Sequence, residues 1–106
     1  MAYYSMYFAL IALLFRAGIK CENHAASIML LEEVFGIGNA DISAAKDERI
    51  SKQYYVDVPA TRADVESLLR TAEGFNRMLF DVIARLTLGD IERSREKLRS
   101  LWAKRV

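Results

Sequence analysis

Residues 2–15 read AYYSMYFALIALLF, the most apolar stretch of the chain, and the fold turns on how it is read. Tyr3, Tyr7, Leu10 and Leu14 recur at helical spacing on one face, and Phe8, Ile11 and Phe15 recur on another. Such a helix, over about 2–17 with Gly18 as its C-terminal stop, has no face fit for water and has to be surrounded by partners. The stretch is 14 residues long, short of the roughly 20 that cross a bilayer. No Lys or Arg precedes it and no small-residue cleavage site follows cleanly, which argues against a secretory signal. It reads as a buried core helix of a cytoplasmic protein that does not associate with membranes. It also begins at the second residue without a cap or polar lead-in, as if the chain started inside the fold.

Outward from this segment the chain reads as helices throughout. Asn23 can cap a second helix over 23–36, with Ile28, Leu31, Val34 and Phe35 as its buried stripe and Gly36 as its stop. Gly36-Ile37-Gly38-Asn39 has two glycines and no third, so it is a turn and not a dinucleotide fingerprint. Asp41 or Ser43 can cap a weaker, more exposed helix over 42–55. After Pro59, Thr61-x-x-Asp64 resembles a capping box, and Val65, Leu68, Leu69, Ala72, Phe75, Leu79, Val82, Ile83 and Leu86 give the clearest helical period in the chain, over 61–86. Leu88-Gly89-Asp90 breaks or kinks that run, and Ile91, Leu98, Leu101 and Trp102 form a thinner stripe over 90–104. The expected architecture is a single all-α domain, an up-and-down antiparallel bundle of four to five helices.

Composition narrows the function by exclusion. The chain has 106 residues, 53% of them hydrophobic and 27% charged, with five glycines and one proline. That is one small helical domain, with too few turn residues for a loop-rich β fold and too many apolar ones for disorder. A single cysteine, Cys21, permits no internal disulfide, and a single histidine, His24, permits no His-pair metal motif; no metal site or cofactor is expected. The net charge of +1 does not announce a nucleic-acid binder. The distribution is less even: residues 85–106 carry seven Lys or Arg against Asp90, Glu92 and Glu96. That stripe reads either as a solvated face laced with ion pairs or as a phosphate-attracting one. Because a chain this short buries only around 60–65% of its surface, three neighbours need not cover the first helix, and a homodimer is expected to supply the rest.

Few side chains can carry chemistry. No Ser/His/Asp or Cys/His set stands at a recognisable spacing, and His24 at a helix start reads as a capping or surface residue. The one dense polar and aromatic cluster is Lys46–Tyr55. On a helix Lys46, Arg49 and Gln53 share a face, and Ile50 and Tyr54 share another. Arginine forks and tyrosine hydroxyls suit phosphate or nucleobase contacts, and equally an ordinary ion-pair network with Tyr packed on the bundle.

Four segments in order, AYYSMYFALIALLFRAG (2–18), NHAASIMLLEEVF (23–35), DERISKQYY (47–55) and PATRADVESLLRTAEGF (59–75), resemble the HEPN superfamily of helical nucleotide-binding domains, in particular its small stand-alone prokaryotic group. That group carries a further amphipathic helix before the AYY segment; in this chain the basic helix near Asp90–Lys104 is a candidate cover for the first helix, within one chain or exchanged between two. The resemblance implies dimers with an R-x4–6-H motif in the interface cleft, which in active members cleaves RNA without metal, often as a toxin paired with a nucleotidyltransferase. Arg49 matches the motif arginine, Tyr54 or Tyr55 stands where the histidine is expected, and His24 matches a different family position. A phenol with a pKa near 10 is a poor general base at neutral pH. The resemblance therefore implies a dimeric nucleotide- or RNA-binding subunit of a nucleotidyltransferase-linked, toxin–antitoxin type system, with Lys46, Arg49, Lys52, Tyr54, Tyr55 and His24 as binding residues. A metal-independent endoribonuclease using Arg49 and Tyr54 is the alternative, and a non-catalytic assembly module is another. Tyr54 and Tyr55 are also where such a partner enzyme would place adenylyl groups.

Overall fold

A computed structural model describes residues 2–54 and 62–105, and the side chains of residues 2–47 and 62–103. Its elements are five helices, α1 (Ala2–Arg16), α2 (His24–Phe35), α3 (Ala40–Tyr54), α4 (Arg62–Arg85) and α5 (Leu88–Arg105). No strand occurs among the described residues, so the chain is an all-α bundle. None of the described helices is long and apolar enough to cross a membrane.

The helix ends follow from local hydrogen-bond chemistry. α1 stops at Gly18, whose φ of +75° costs an L side chain but not glycine. The Gly18 and Ile19 amides close the last turn on the Phe15 and Leu14 carbonyls at 2.9 and 2.8 Å. α2 is capped as the sequence suggests: Asn23 Oδ1 accepts the Ala26 N–H at 2.9 Å, and Gly36, at φ +67°, donates to the Glu32 carbonyl at 3.0 Å. α3 departs from expectation. It starts at Ala40, with the Ser43 amide bonded to the Asn39 carbonyl, so Asp41 and Ser43 lie inside its first turn and Asn39 takes the flanking position. Asn39 also donates its side-chain N–H to the Ile28 carbonyl at 3.1 Å, tying the turn to α2. Between α4 and α5 the break falls at Leu86–Thr87. There the Thr87 N–H donates to Asp90 Oδ2 at 3.0 Å and the Asp90 N–H donates to Thr87 Oγ1 at 3.1 Å, a reciprocal capping box. The box read at Thr61-x-x-Asp64 lies partly outside the described residues.

α1 is the centre of the bundle and packs against α4, α3 and α2. Tyr3, Met6, Tyr7, Ala9, Leu10, Leu13 and Leu14 are all buried, meeting Ile28, Leu31, Ile42, Ala72, Phe75 and Leu79 from the other helices. A polar bond spans the α1–α4 seam, with Asn76 Nδ2 donating to Ser5 Oγ at 2.7 Å. α5 packs on α2, with Ser94 buried and Ile91, Leu98 and Leu101 half-buried.

Three expectations are corrected here. First, α1 is not surrounded within one chain: Phe8 and Phe15 remain 68% and 82% exposed, because α5 lies on α2 and does not cover them. Second, the apolar period of α4 is longer than its buried stripe. Val65 and Leu69 are exposed, since α4 has 24 residues and α1 only 15, an overhang of about 13 Å at 1.5 Å per residue. Third, Trp102 is 70% exposed and Ser94 holds the central inward position of α5. Ser94 satisfies its hydroxyl on the Asp90 carbonyl at 2.9 Å, so a small polar residue fits where a ring would hold the helices apart.

Leu13→Ala is expected to lower unfolding free energy by about 2–5 kcal/mol in urea titrations, whereas Leu69→Ala should change it by about 0.5 kcal/mol or less. The Thr87 amide, then the Thr87 hydroxyl and Arg93, hold the Asp90 carboxyl below the usual aspartate range. Its folded-state value is depressed, so its contribution is present above the ordinary carboxylate range and lost as pH falls through the folded value. Protection of the Thr87 amide, as exchange relative to its intrinsic rate, should therefore fall in wild type only below the ordinary aspartate range, and Asp90→Ala should show the lower protection already at neutral pH.

Candidate functional site

Residues 17–23 join α1 to α2 by running back along α1. The groove beside Ile11, Leu14 and Phe15 is closed by Ile19, Lys20, Cys21 and Glu22, and His24, the first residue of α2, comes to the opening turns of α1. There Tyr3 Oη lies 2.7 Å from His24 Nδ1. The Tyr7 ring stacks on the imidazole with centroids 3.9 Å apart and planes 19° apart. Tyr3 and Tyr7 are both buried, and His24 is half-buried.

This pairing positions the imidazole. The Tyr3 hydroxyl can donate to Nδ1 or accept from it according to the imidazole tautomer, and in either case the bond and the Tyr7 stack fix the orientation of the ring. The ring is held in one orientation, with tyrosine π-faces beside it and the exposed Tyr4 ring 5.5 Å from Tyr3. His24 is thus neither a cap (Asn23 does that) nor a free surface residue, which corrects the structural reading of its sequence position. Tyr3 and Tyr7 were missed as its partners. The sequence shows two tyrosines four apart and one histidine, but not that the connector brings them together.

The other candidate residues fall on or after α3. Ile42 and Ala45 bury its first half against α1 and α4, and Lys46 is half-buried beside them. α3 runs on through Tyr54, so Lys46, Arg49 and Gln53 stand at positions i, i+3 and i+7 of one continuous helix. The side chains of Arg49, Lys52 and Tyr54, and Tyr55 altogether, lie outside the described residues. Nothing described brings Lys46 together with His24.

A second concavity, unforeseen from sequence, lies where α2 ends against the α4–α5 junction. It encloses about 440 Å³ between Phe35, Ile37, Val82 and Leu86, with Arg85, Arg93 and Lys97 at its rim. Asp81 pairs with Arg85 at 3.2 Å and Asp90 pairs with Arg93, so two of its three cations are already answered. Among the described residues no group of His, Cys, Asp or Glu is placed to hold a metal ion.

The model of the HEPN domain matches residues 1–83 of this sequence. The chain belongs to the HEPN family. The matched segment takes in α1 through most of α4, and so includes the His24 cluster and α3; α5 of this HEPN chain lies beyond it. Comparison with curated proteins and with solved structures returns no significant match.

Tyr3→Phe is expected to release the Nδ1 restraint. The nitrogen NMR shifts of His24 should move toward those of an unrestrained imidazole, with a stability loss of about 0.5–1.5 kcal/mol. Tyr7→Phe should leave both unchanged, because it preserves the stacked ring.

Proposed function

We propose that this HEPN protein is a nucleotide- or RNA-binding module acting as a homodimer, and that it serves as the HEPN subunit of a nucleotidyltransferase-linked, toxin–antitoxin type pair. The observation that carries the reading is the family match across residues 1–83, which spans the polar and aromatic segment Lys46–Tyr55. Arg49 is the residue that corresponds to the family's motif arginine. A guanidinium there can hold a phosphate through two parallel N–H bonds, with Lys46 and Lys52 adding positive charge along α3 and Tyr54 and Tyr55 offering rings for a base to stack on. His24, its ring held by Tyr3 and Tyr7, adds an imidazole that can hydrogen-bond a nucleobase edge or phosphate oxygen.

Binding is favoured over cleavage for a chemical reason. An R-x4-Y spacing places a phenol where acid–base chemistry would want an imidazole, and a phenol is almost wholly protonated at neutral pH. Arginine alone can stabilise charge on a phosphate without moving a proton.

Fluorescence anisotropy with a labelled single-stranded RNA, competed by mononucleotides, tests the reading. Loss of one charge-assisted contact of about 1.5–3 kcal/mol predicts roughly 10–100-fold weaker binding for Arg49→Ala, with a shallower salt dependence. Tyr54→Phe keeps the ring and should bind as wild type. Unchanged affinity in Arg49→Ala would sink the proposal. EDTA-resistant RNA cleavage that disappears in the same variant would replace binding with the endoribonuclease reading.

A further inference from the structure

The concavity at the end of α2 lies across the boundary of the family module. Phe35 and Ile37 come from the last residue of α2 and the turn after it, and Val82 and Leu86 from the end of α4. All four are half-buried, so one apolar floor stays partly open to water. α5 adds Arg93 and Lys97 to the same wall. The HEPN match ends at residue 83, so Arg85, Leu86 and everything α5 contributes stand outside it. The volume of about 440 Å³ falls within the range of small-molecule sites.

The rim carries more positive charge than it answers. Asp81 pairs with Arg85 and Asp90 with Arg93, and among the described residues no carboxylate pairs with Lys97. The positions three and four residues from Lys97 along α5 are Arg93, Ser94, Ser100 and Leu101, so its own helix offers it no acid at pairing distance. It stands instead one turn beyond Arg93, a like-charge spacing that works against the helix and that a shared anion relieves.

We propose that this concavity binds a small apolar monocarboxylate, its ring or chain lying on Phe35, Ile37, Val82 and Leu86 and its carboxylate on the Lys97 ammonium. The body is apolar because the floor offers a polar one nothing to replace its water. The head is an anion because Arg93 and Lys97 meet at the rim. It bears a single charge because three cations against two carboxylates leave one unit to neutralise. A nucleotide, with a polar sugar and several charges, fits neither requirement, so the site is distinct from the one assigned to Arg49 and does not depend on it. A ligand there touches α2, α4 and α5 together and fastens α5 to the bundle beside the break at Leu86–Thr87.

Amide NMR of the full chain, titrated with naphthalene-2-carboxylate and separately with octanoate, tests the site. Saturable shifts are expected at Phe35, Ile37, Val82, Leu86 and Ser94, with a Kd at or below about 1 mM for ligands of this size. The tighter of the two identifies a ring or a chain as the preferred body. Lys97→Met keeps the stem and removes the charge. It should weaken both carboxylates about tenfold and leave the neutral naphthalene-2-methanol unchanged. Lys97 is exposed, so helical circular dichroism should hold in that variant. Ile37→Trp fills the concavity and should weaken all three probes; should it fail to fold, Lys97→Met decides alone. Arg49→Ala should leave every one of these values as in wild type, which separates a failure here from a failure of the nucleotide or RNA reading. The proposal is overturned by the absence of saturable shifts up to about 10 mM, or by shifts confined to the exposed Tyr4, Phe8 and Phe15 of α1. Carboxylate binding indifferent to Lys97→Met, or tighter binding of AMP at the same amides, would overturn it equally.

Discussion

The structure depends on burying a helix that has almost nothing to offer water. Among the described residues α1 contributes seven buried side chains to the core, more than any other helix, and α2, α3 and α4 all pack against it. Before Arg16 it carries no charge, so little in its own sequence fixes which neighbour takes which face. That selection falls to the neighbours. α4 brings Ala72, Phe75 and Leu79, α3 brings Ile42 and Ala45, and α2 arrives already oriented by the return of residues 17–23. Apolar burial is non-directional, and the caps at Gly18, Asn23 and Gly36 supply the direction it lacks.

The His24 cluster follows from the same arrangement. A short turn after Gly18 would have started α2 at the far end of α1. The connector instead runs back, so the first residue of α2 meets the first turns of α1, where Tyr3 and Tyr7 are turned inward. A histidine at that point gains a hydrogen bond and a stacking partner while staying half-exposed. The tyrosines thus serve the core and a polar position together, as rings with one apolar body and one polar tip do.

Much of this was legible in the sequence and some was not, for identifiable reasons. The helical class and the end signals at Gly18, Asn23 and Gly36 could be read, because caps are local chemistry. The inward face Tyr3-Tyr7-Leu10-Leu14 could be read, because period alone defines it. The fate of Phe8, Ile11 and Phe15 could not, since periodicity says that residues share a face and not whether anything stands opposite. Val65 and Leu69 were misjudged for a related reason: a stripe extends along its helix further than a shorter neighbour can follow. Trp102 was assigned inward on hydrophobicity, where the spacing of Ile91, Ser94, Leu98 and Leu101 put a serine. At the candidate site, His24 was visible as a lone residue while its partners lay 21 and 17 positions earlier, a relation that depends on the route of a connector. Arg49, Lys52, Tyr54 and Tyr55 were named through family resemblance alone, and their side chains lie outside the described residues.

The two-residue break at Leu86–Thr87 separates the family module from its appendage. α5 is held by four inward positions against α2 and by one box at its start, both short-range and both indifferent to what the outward positions carry. Its charged side, with Arg95, Arg99 and the bare indole of Trp102, is therefore free to drift under selection without endangering the module beneath. Substitutions confined to that side leave the packing of the first four helices untouched.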